Sequence, residues 1–207
     1  LHLSMLKIIS MFTATIRRTA VMTDDALQTA PSIRRLWPVD QPAILSHFLN
    51  LDRNIRHLRF GGGVGEDFLR GYAGAVLKVG SVIYGAFPDG ELRAVGELRG
   101  LLDDWPMRAE AAFSVERDWQ DRGIGDALVT RVIAAAQNRG VNTLHMLCLP
   151  ENRKMQHLAV KHHAVLDLGP DEAVARLEPP WPTPFSLAEE FAGEAQGLTD
   201  ALRRWAA

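Results

Sequence analysis

One stretch, from Ala109 to Leu149, limits the fold of this chain more than any other. Ala109–Glu116 reads as a strand. Two glycines, Gly123 and Gly125, then open a helical pattern that runs to Arg139 and stops at Gly140, a C-cap residue. Thr143–Leu149, closed by Pro150, reads as a strand again. Two strands joined through one helix lie parallel, with a right-handed crossover. Upstream, Ser81–Phe87 and Glu91–Leu101 flank Pro88-Asp89-Gly90, a turn signal that makes them an antiparallel hairpin. Asp103-Asp104-Trp105-Pro106 breaks the chain before Ala109. The expected class is therefore α+β: a mixed, mostly antiparallel central sheet with one parallel seam and helices on both faces.

The remaining elements fit around that frame. Ser32–Leu36 reads as a strand and Pro42–Leu49 as a helix with Asp40 as its N-cap. Gly61–Gly65 is a flexible loop and Glu66–Leu77 a helix. Asn152–His163 is a further helix, and Ala164–Asp167 with Ala173–Leu177 forms a closing hairpin. We expect one domain over 31–178. Residues 179–184 hold four prolines, which remove backbone donors and make an extended linker. In 185–207, Leu187, Phe191, Leu198, Leu202 and Trp205 fall at helical spacing, and Ser186 with Glu189 resembles a capping box. This amphipathic helix packs on its own domain or pairs with a second copy as a homodimer. Residues 1–30 are expected to be a flexible extension. They carry the short apolar patch Ile8–Phe12, with Lys7 before it and Arg17-Arg18 after it, which is not the layout of a signal peptide. The natural start is expected at Met22 or another internal Met.

Composition narrows the function. With 207 residues, 47% of them hydrophobic and 23% charged, wholesale disorder is excluded and a large core is affordable without metal or disulfides. A net charge of −2 offers no global basic field for nucleic acid or an anionic membrane. No apolar run approaches the ~18 residues of a membrane span. The single cysteine, Cys148, rules out an internal disulfide framework and a Cys-rich zinc site, and a reducing cytoplasm fits. No metal site is expected.

The chemistry concentrates at Gln120-Asp121-Arg122-Gly123-Ile124-Gly125-Asp126. The first amides of a helix have no intrahelical partner, the helix dipole adds positive charge there, and glycines allow close approach. Together these seat a phosphate or pyrophosphate, to which Arg122 adds a formal charge. The loop is neither a Walker A motif nor a dinucleotide fingerprint. Read alone, Gly-x-Gly is equally a tight turn with close helix packing.

The arrangement resembles the GNAT superfamily of acyl-CoA N-acyltransferases. Its Gln/Arg-x-x-Gly-x-Gly/Ala loop matches Gln120–Gly125 at every defined position, and its Asn after the next strand matches Asn152 in Pro150-Glu151-Asn152-Arg153-Lys154-Met155, 27 residues beyond Gly125. His57-Leu58-Arg59-Phe60 further resembles a stretch of the subgroup with bacterial protein-lysine acetyltransferases. By this resemblance, backbone amides of Gln120, Asp121, Arg122, Gly123, Ile124, Gly125 and Asp126 hold the pyrophosphate of acetyl-CoA. Backbone groups of Phe113, Ser114 and Val115 pair with its pantetheine arm. Asn152 bonds that arm and Met155 lines the same wall; Phe113 and Met155 are also core formers. A primary amine, small molecule or protein lysine, then attacks the thioester in a ternary complex without a covalent enzyme intermediate.

An alkylamine has a pKa of about 10.4, so attack near neutral pH needs a base. The resemblance offers Glu110, three residues before Phe113, with Glu97 on the preceding strand as runner-up. Each is otherwise a solvated or strand-edge carboxylate. Two positions depart from the family. Ala159 stands where many members have a tyrosine that protonates the leaving thiolate, and Lys161-His162-His163-Ala164 replaces a Leu-Gly-Phe-like turn. The histidines are expected at a helix C-terminus, where positive charge suits the dipole. Cys148 is expected to be inert and mid-strand. Asp103, Asp104 and Glu110 near the mouth suit a cationic amine. The alternatives are a catalytically inactive acyl-CoA-binding regulatory domain and an unrelated phosphate-binding module.

Overall fold

In a computed structural model, residues 32–100 and 108–205 are described. Seven strands form one sheet in the order β1-β2-β3-β4-β5-β7-β6, where β1 is Ser32–Arg35, β2 Val82–Phe87, β3 Ala94–Arg99, β4 Arg108–Val115, β5 Thr143–Cys148, β6 Val165–Leu168 and β7 Ala173–Leu177. Every neighbouring pair is antiparallel except β4–β5. The expected mixed sheet with one parallel seam is therefore the observed one.

The helices are α1 (Gln41–Asn50), α2 (Arg53–Phe60), α3 (Glu66–Ala75), α4 (Ile124–Asn138), α5 (Arg153–Lys161) and α6 (Pro184–Trp205). Side chains alternate across a strand, so each strand serves both faces. Val82, Tyr84, Ala86, Leu98, Ala109 and Ala111 pack with Leu128, Val132 and Ala135 of α4 and Ala159 of α5. On the other face, Ile83 and Val95 pack with Ile44 and Phe48 of α1, Ile55 of α2, and Leu69 and Ala73 of α3. Two cores thus sandwich the sheet.

Several local expectations need correction. Asp40 stands at the N-cap of α1 but makes no capping bond. Its buried carboxylate instead accepts from Arg34 Nη2 at 2.6 Å, Arg34 Nη1 at 2.9 Å and the Trp37 amide at 2.9 Å, because a buried guanidinium needs a charged partner more than a helix end does. The strand expected over Glu91–Leu101 is confined to Ala94–Arg99. Helix α2 lies where the sequence shows no apolar period. Asp52 caps it by accepting from the Ile55 amide at 2.9 Å, Gly61 ends it, and Arg56 turns back to donate to the carbonyls of Leu51 and Leu49 at 2.7 Å each. These last bonds cap α1 as well and fix the α1–α2 corner.

Helix α6 begins one turn earlier than its supposed capping box. Thr183 and Ser186 cap it reciprocally, each amide donating to the other's hydroxyl at 3.0 Å. It docks on its own domain through polar side chains: Glu190 accepts from Arg139 at 2.5 Å and Asn138 at 2.7 Å, and Glu194 accepts from Arg35 at 2.5 Å. Leu187 and Phe191, from the expected apolar stripe, are exposed. The side chains of Glu189, Leu198, Leu202 and Trp205 lie outside the described residues, as do residues 1–30, Asp103 and Asp104. No described helix is long and apolar enough to cross a membrane.

Candidate active site

The seam between β4 and β5 is short. Among the described residues, only Arg108, Ala109 and Glu110 pair with β5, opposite Thr143, Leu144 and His145. Beyond Glu110 the two strands separate, while β4 continues to pair with β3 as far as Val115. The edge of β4 from Ala111 to Val115 therefore faces a gap, and an unpaired strand edge is a ready template for an extended ligand.

At the end of β4 the chain turns through Arg117–Trp119 into the glycine loop. Gly123 precedes α4 with φ +77°, a left-handed conformation that a Cβ would strain, and no side chain caps the helix. A Cβ at Gly125 would stand 3.3 Å from Leu158 Cδ1 and 3.9 Å from Val115 Cγ2. The helix start is thus bare, and packed close to both walls of the gap. Around it, Gln120 Nε2 donates to the Val115 carbonyl at 3.1 Å, tying the loop to the strand. Lys154 Nζ of α5 donates to Asp121 at 2.7 Å and to Gln120 Oε1 at 3.0 Å. The hydrogen bond from Lys161 at 2.9 Å, with a second contact from His162 at 2.8 Å, holds the Asp126 carboxyl below the usual carboxylate range.

A cleft of about 620 Å³ joins these features. It brings together Phe113, Ser114, Val115, Gln120, Asp121, Gly123, Gly125, Asp126, Asn152 and Met155. Four expected residues are not part of its lining: Arg122, Ile124, Glu97 and Glu110. Arg122 lies over the Trp119 ring at 4.8 Å, and Ile124 is buried in the core. Asn152 caps α5, accepting from the Met155 amide at 3.2 Å. A larger hollow of about 1060 Å³ lies between the end of α5 and the β6–β7 hairpin. Several of its charged groups are paired: Arg176 with Asp167 at 2.8 Å, and Lys161 and His162 with Asp126 of the glycine loop.

The far wall of the cleft is α2, which contributes Asn54, Ile55, Leu58 and Arg59. Arg59 leads into a polar island on the α1–α3 face of the sheet. Its Nη2 donates to Glu97 Oε1 at 2.5 Å and to the Tyr72 hydroxyl at 2.7 Å. Tyr72 donates to Glu97 Oε2 at 2.6 Å and accepts from Arg99 at 2.5 Å. Burial first, and then the Glu97 charge, push the Tyr72 hydroxyl up to about 12. Arg99 also lies 3.5 Å from Glu110, its cross-strand partner. A second network ties down Ser114. His47 of α1 is fully buried, with Nε2 2.8 Å from Ser114 Oγ and Nδ1 3.3 Å from Glu116. A carboxylate only accepts, so the neutral ring carries its proton on Nδ1 and Nε2 accepts from Ser114. Desolvation holds His47 below the ordinary histidine value, against the raising effect of Glu116.

Cys148 ends β5 rather than sitting mid-strand, half-buried, and burial pushes its thiol up. Ala159 is fully buried, and His162 caps the C-terminus of α5.

With this geometry in place, the profile of the Acetyltransferase (GNAT) family matches residues 54–164, a little over half of the chain. The chain belongs to the GNAT acetyltransferase family. The matched span of this GNAT protein includes α2, the splayed seam, the glycine loop and α5. Among solved structures, the GNAT domain of S. lividans PAT superposes with a TM-score of 0.62 at 20% identity, over 70% of this chain and 89% of that one. A putative acetyltransferase, yncA, from Salmonella typhimurium, solved with acetyl-CoA, gives 0.58 at 15% identity over 75% and 97%. Spermidine N-acetyltransferase from Vibrio cholerae, solved with CoA and spermine, gives 0.55 at 19% over 71% and 94%. These likenesses are of fold. No curated protein matches the chain significantly. Acetyl-CoA, the acyl donor of GNAT acetyltransferases, fits what is present: a bare helix start for its pyrophosphate and an open strand edge for its arm.

Proposed function

We propose that this protein transfers the acetyl group of acetyl-CoA to a primary amine by direct attack in a ternary complex. The observation that carries this reading is the continuity of one cleft from the bare start of α4 to the unpaired edge of β4. In it, the amides of the Gln120–Asp126 loop hold the pyrophosphate, with Gly123 and Gly125 admitting it closely. The pantetheine arm pairs with backbone groups of Phe113, Ser114 and Val115 as an added strand, against Asn152 and Met155. The His47–Ser114 bond keeps that part of β4 in place.

Glu110 is the base. It stands at the last paired position of the seam, where the arm would end, and its side chain is 47% exposed, so an incoming amine can reach it. Glu97, the runner-up, is fully buried and already receives hydrogen bonds from Arg59 and Tyr72, which leaves it no route to an amine. Glu110 takes the ammonium proton, the nitrogen bonds to the thioester carbon, the carbon–sulfur bond breaks, and the second nitrogen proton leaves to the departing thiolate or to solvent. A thiol of pKa near ~8.5 leaves as thiolate without much help, so Ala159 in the position of the family's tyrosine does not block turnover. Calorimetric titration with acetyl-CoA, beside a Gly123→Asp/Gly125→Asp variant, tests the reading. Micromolar binding lost in the variant is expected; a folded wild-type chain that does not bind acetyl-CoA would overturn it.

A further inference from the structure

Among the described residues, three carboxylates line the cleft, and each meets a basic side chain. Asp126 pairs with Lys161 and His162, and Glu151 with His57 at 3.2 Å, but these three bases do not border the cleft. The pair of Lys154 Nζ with Asp121 Oδ2 at 2.7 Å is different, because both of its members do. It ties the glycine loop, two residues before Gly123, to the first turn of α5.

Both members run against local preference. Lys154 follows Arg153 in the first turn of α5, which holds no acidic residue, and the helix dipole disfavours cations there. Asp121 has φ +59°, in the left-handed region that strains a residue with a Cβ. Departures of this kind are expected at functional positions.

The arginines that border the cleft are committed elsewhere. Arg59 and Arg117 are held by Glu97 and Asp52, which do not line it, and Arg153 donates to Gln156 Oε1 at 3.1 Å. Arg122, the cation expected from the sequence, lies over Trp119 outside the lining. Lys154 is then the cation that an entering anion can take over, by displacing the Asp121 carboxylate and the Gln120 amide oxygen. Its side chain is 62% exposed, so burial does not hold it in place. A pyrophosphate brings two negative charges against the one of Asp121, and the dipole at the bare start of α4 favours it further.

We infer that Lys154 is the binding residue that gives the coenzyme pyrophosphate a formal positive charge, and that Asp121 is a built-in competitor that holds Lys154 until acetyl-CoA displaces it. The inference rests on the pyrophosphate seat proposed above.

It predicts a sign that a plain structural staple does not. Removing the Asp121 charge frees Lys154 for the phosphates and tightens binding, whereas loss of a staple loosens the loop and weakens it. Acetyl-CoA is titrated calorimetrically into wild type, Asp121→Asn and Lys154→Gln, with urea midpoints to show that each is folded. Asparagine keeps the side-chain shape and tolerates the left-handed backbone. Should Asp121→Asn not fold, Asp121→Gly suits the same φ and takes its place. Solvent screening at these exposed positions keeps the effects small: Kd is expected to fall about threefold in Asp121→Asn and to rise about fivefold in Lys154→Gln. Added salt is expected to weaken wild type more than Lys154→Gln. An equal or higher Kd in Asp121→Asn overturns the competitor, and an equal Kd or equal salt dependence in Lys154→Gln overturns the cation. Failure of the wild type to bind, or undiminished binding by the Gly123→Asp/Gly125→Asp variant, overturns the pyrophosphate seat instead, so the two failures are told apart.

Discussion

Glu110 and Glu97 project from neighbouring strands onto the same face of the sheet, but only Glu110 reaches solvent, its side chain 47% exposed against 0% for Glu97. The same chemical group is thus placed in two settings, one open to an incoming proton and one locked. Substitution by glutamine separates them. Glu110→Gln is expected to lower kcat by about 10²–10⁴-fold, the usual contribution of a positioned base, with stability within ~0.5 kcal/mol of wild type. Glu97→Gln leaves the buried Arg59 charge unmatched and is expected to cost about 3–5 kcal/mol. Urea unfolding and steady-state kinetics on both variants check this; wild-type kcat in Glu110→Gln would remove it as the base.

Gly123 is held at φ +77° in front of α4. An L side chain in the left-handed region costs roughly 1–2 kcal/mol. Gly123→Ala is therefore expected to lose about that much stability and to weaken acetyl-CoA, because relaxation of the turn would move the bare amides. Equal unfolding midpoints for variant and wild type would contradict the strain.

His47 gives the fold an acid-sensitive group. Burial lowers its pKa from the ordinary value of 6.5, so between the two values the unfolded chain binds more protons. Its contribution is complete above pH 6.5 and is lost as pH falls toward the folded value. Urea midpoints measured downward from pH 7.5 should fall more steeply for wild type than for His47→Gln. Parallel profiles would show that His47 does not titrate on unfolding.

Among its described side chains, helix α6 is held by ion pairs, while Leu187 and Phe191 are exposed. Glu190 accepts from Arg139, Asn138 and, at 3.3 Å, the Tyr84 hydroxyl. Glu190→Ala strands these half-buried donors and is expected to cost about 1–3 kcal/mol. Limited proteolysis should then cut within 184–205 sooner than in wild type; unchanged cleavage would mean that the helix docks by other contacts.

Legibility in the sequence followed the locality of the signal. The β4–α4–β5 unit was readable because Gly123, Gly125, Gly140 and Pro150 punctuate it, and the glycine loop fell where expected. Helix α2 was not, although Asp52 and Gly61 bracket it as cap residues. Its Arg-rich composition, with Ile55 as its buried residue, hides the apolar period. The Arg59–Glu97–Tyr72 and His47–Ser114 networks join residues 13 to 67 positions apart, and no local pattern encodes such a meeting. The polar contacts of α6 were hidden for a related reason: the partners Arg35 and Arg139 come from β1 and from the end of α4.

The seam between β4 and β5 closes for three residue pairs and then opens. A sheet left incomplete in this way treats its substrate as a structural part. In the proposed complex, with the coenzyme arm along Phe113–Val115, chain and coenzyme would share a continuous ladder from β3 outward, and binding would be linked to folding. Occupancy would then be written into the protein's lifetime as much as into its turnover, since a ligand that binds only the native state stabilises it by RT ln(1 + [L]/Kd). A cell rich in acetyl-CoA would hold this protein more stably folded than one depleted of it.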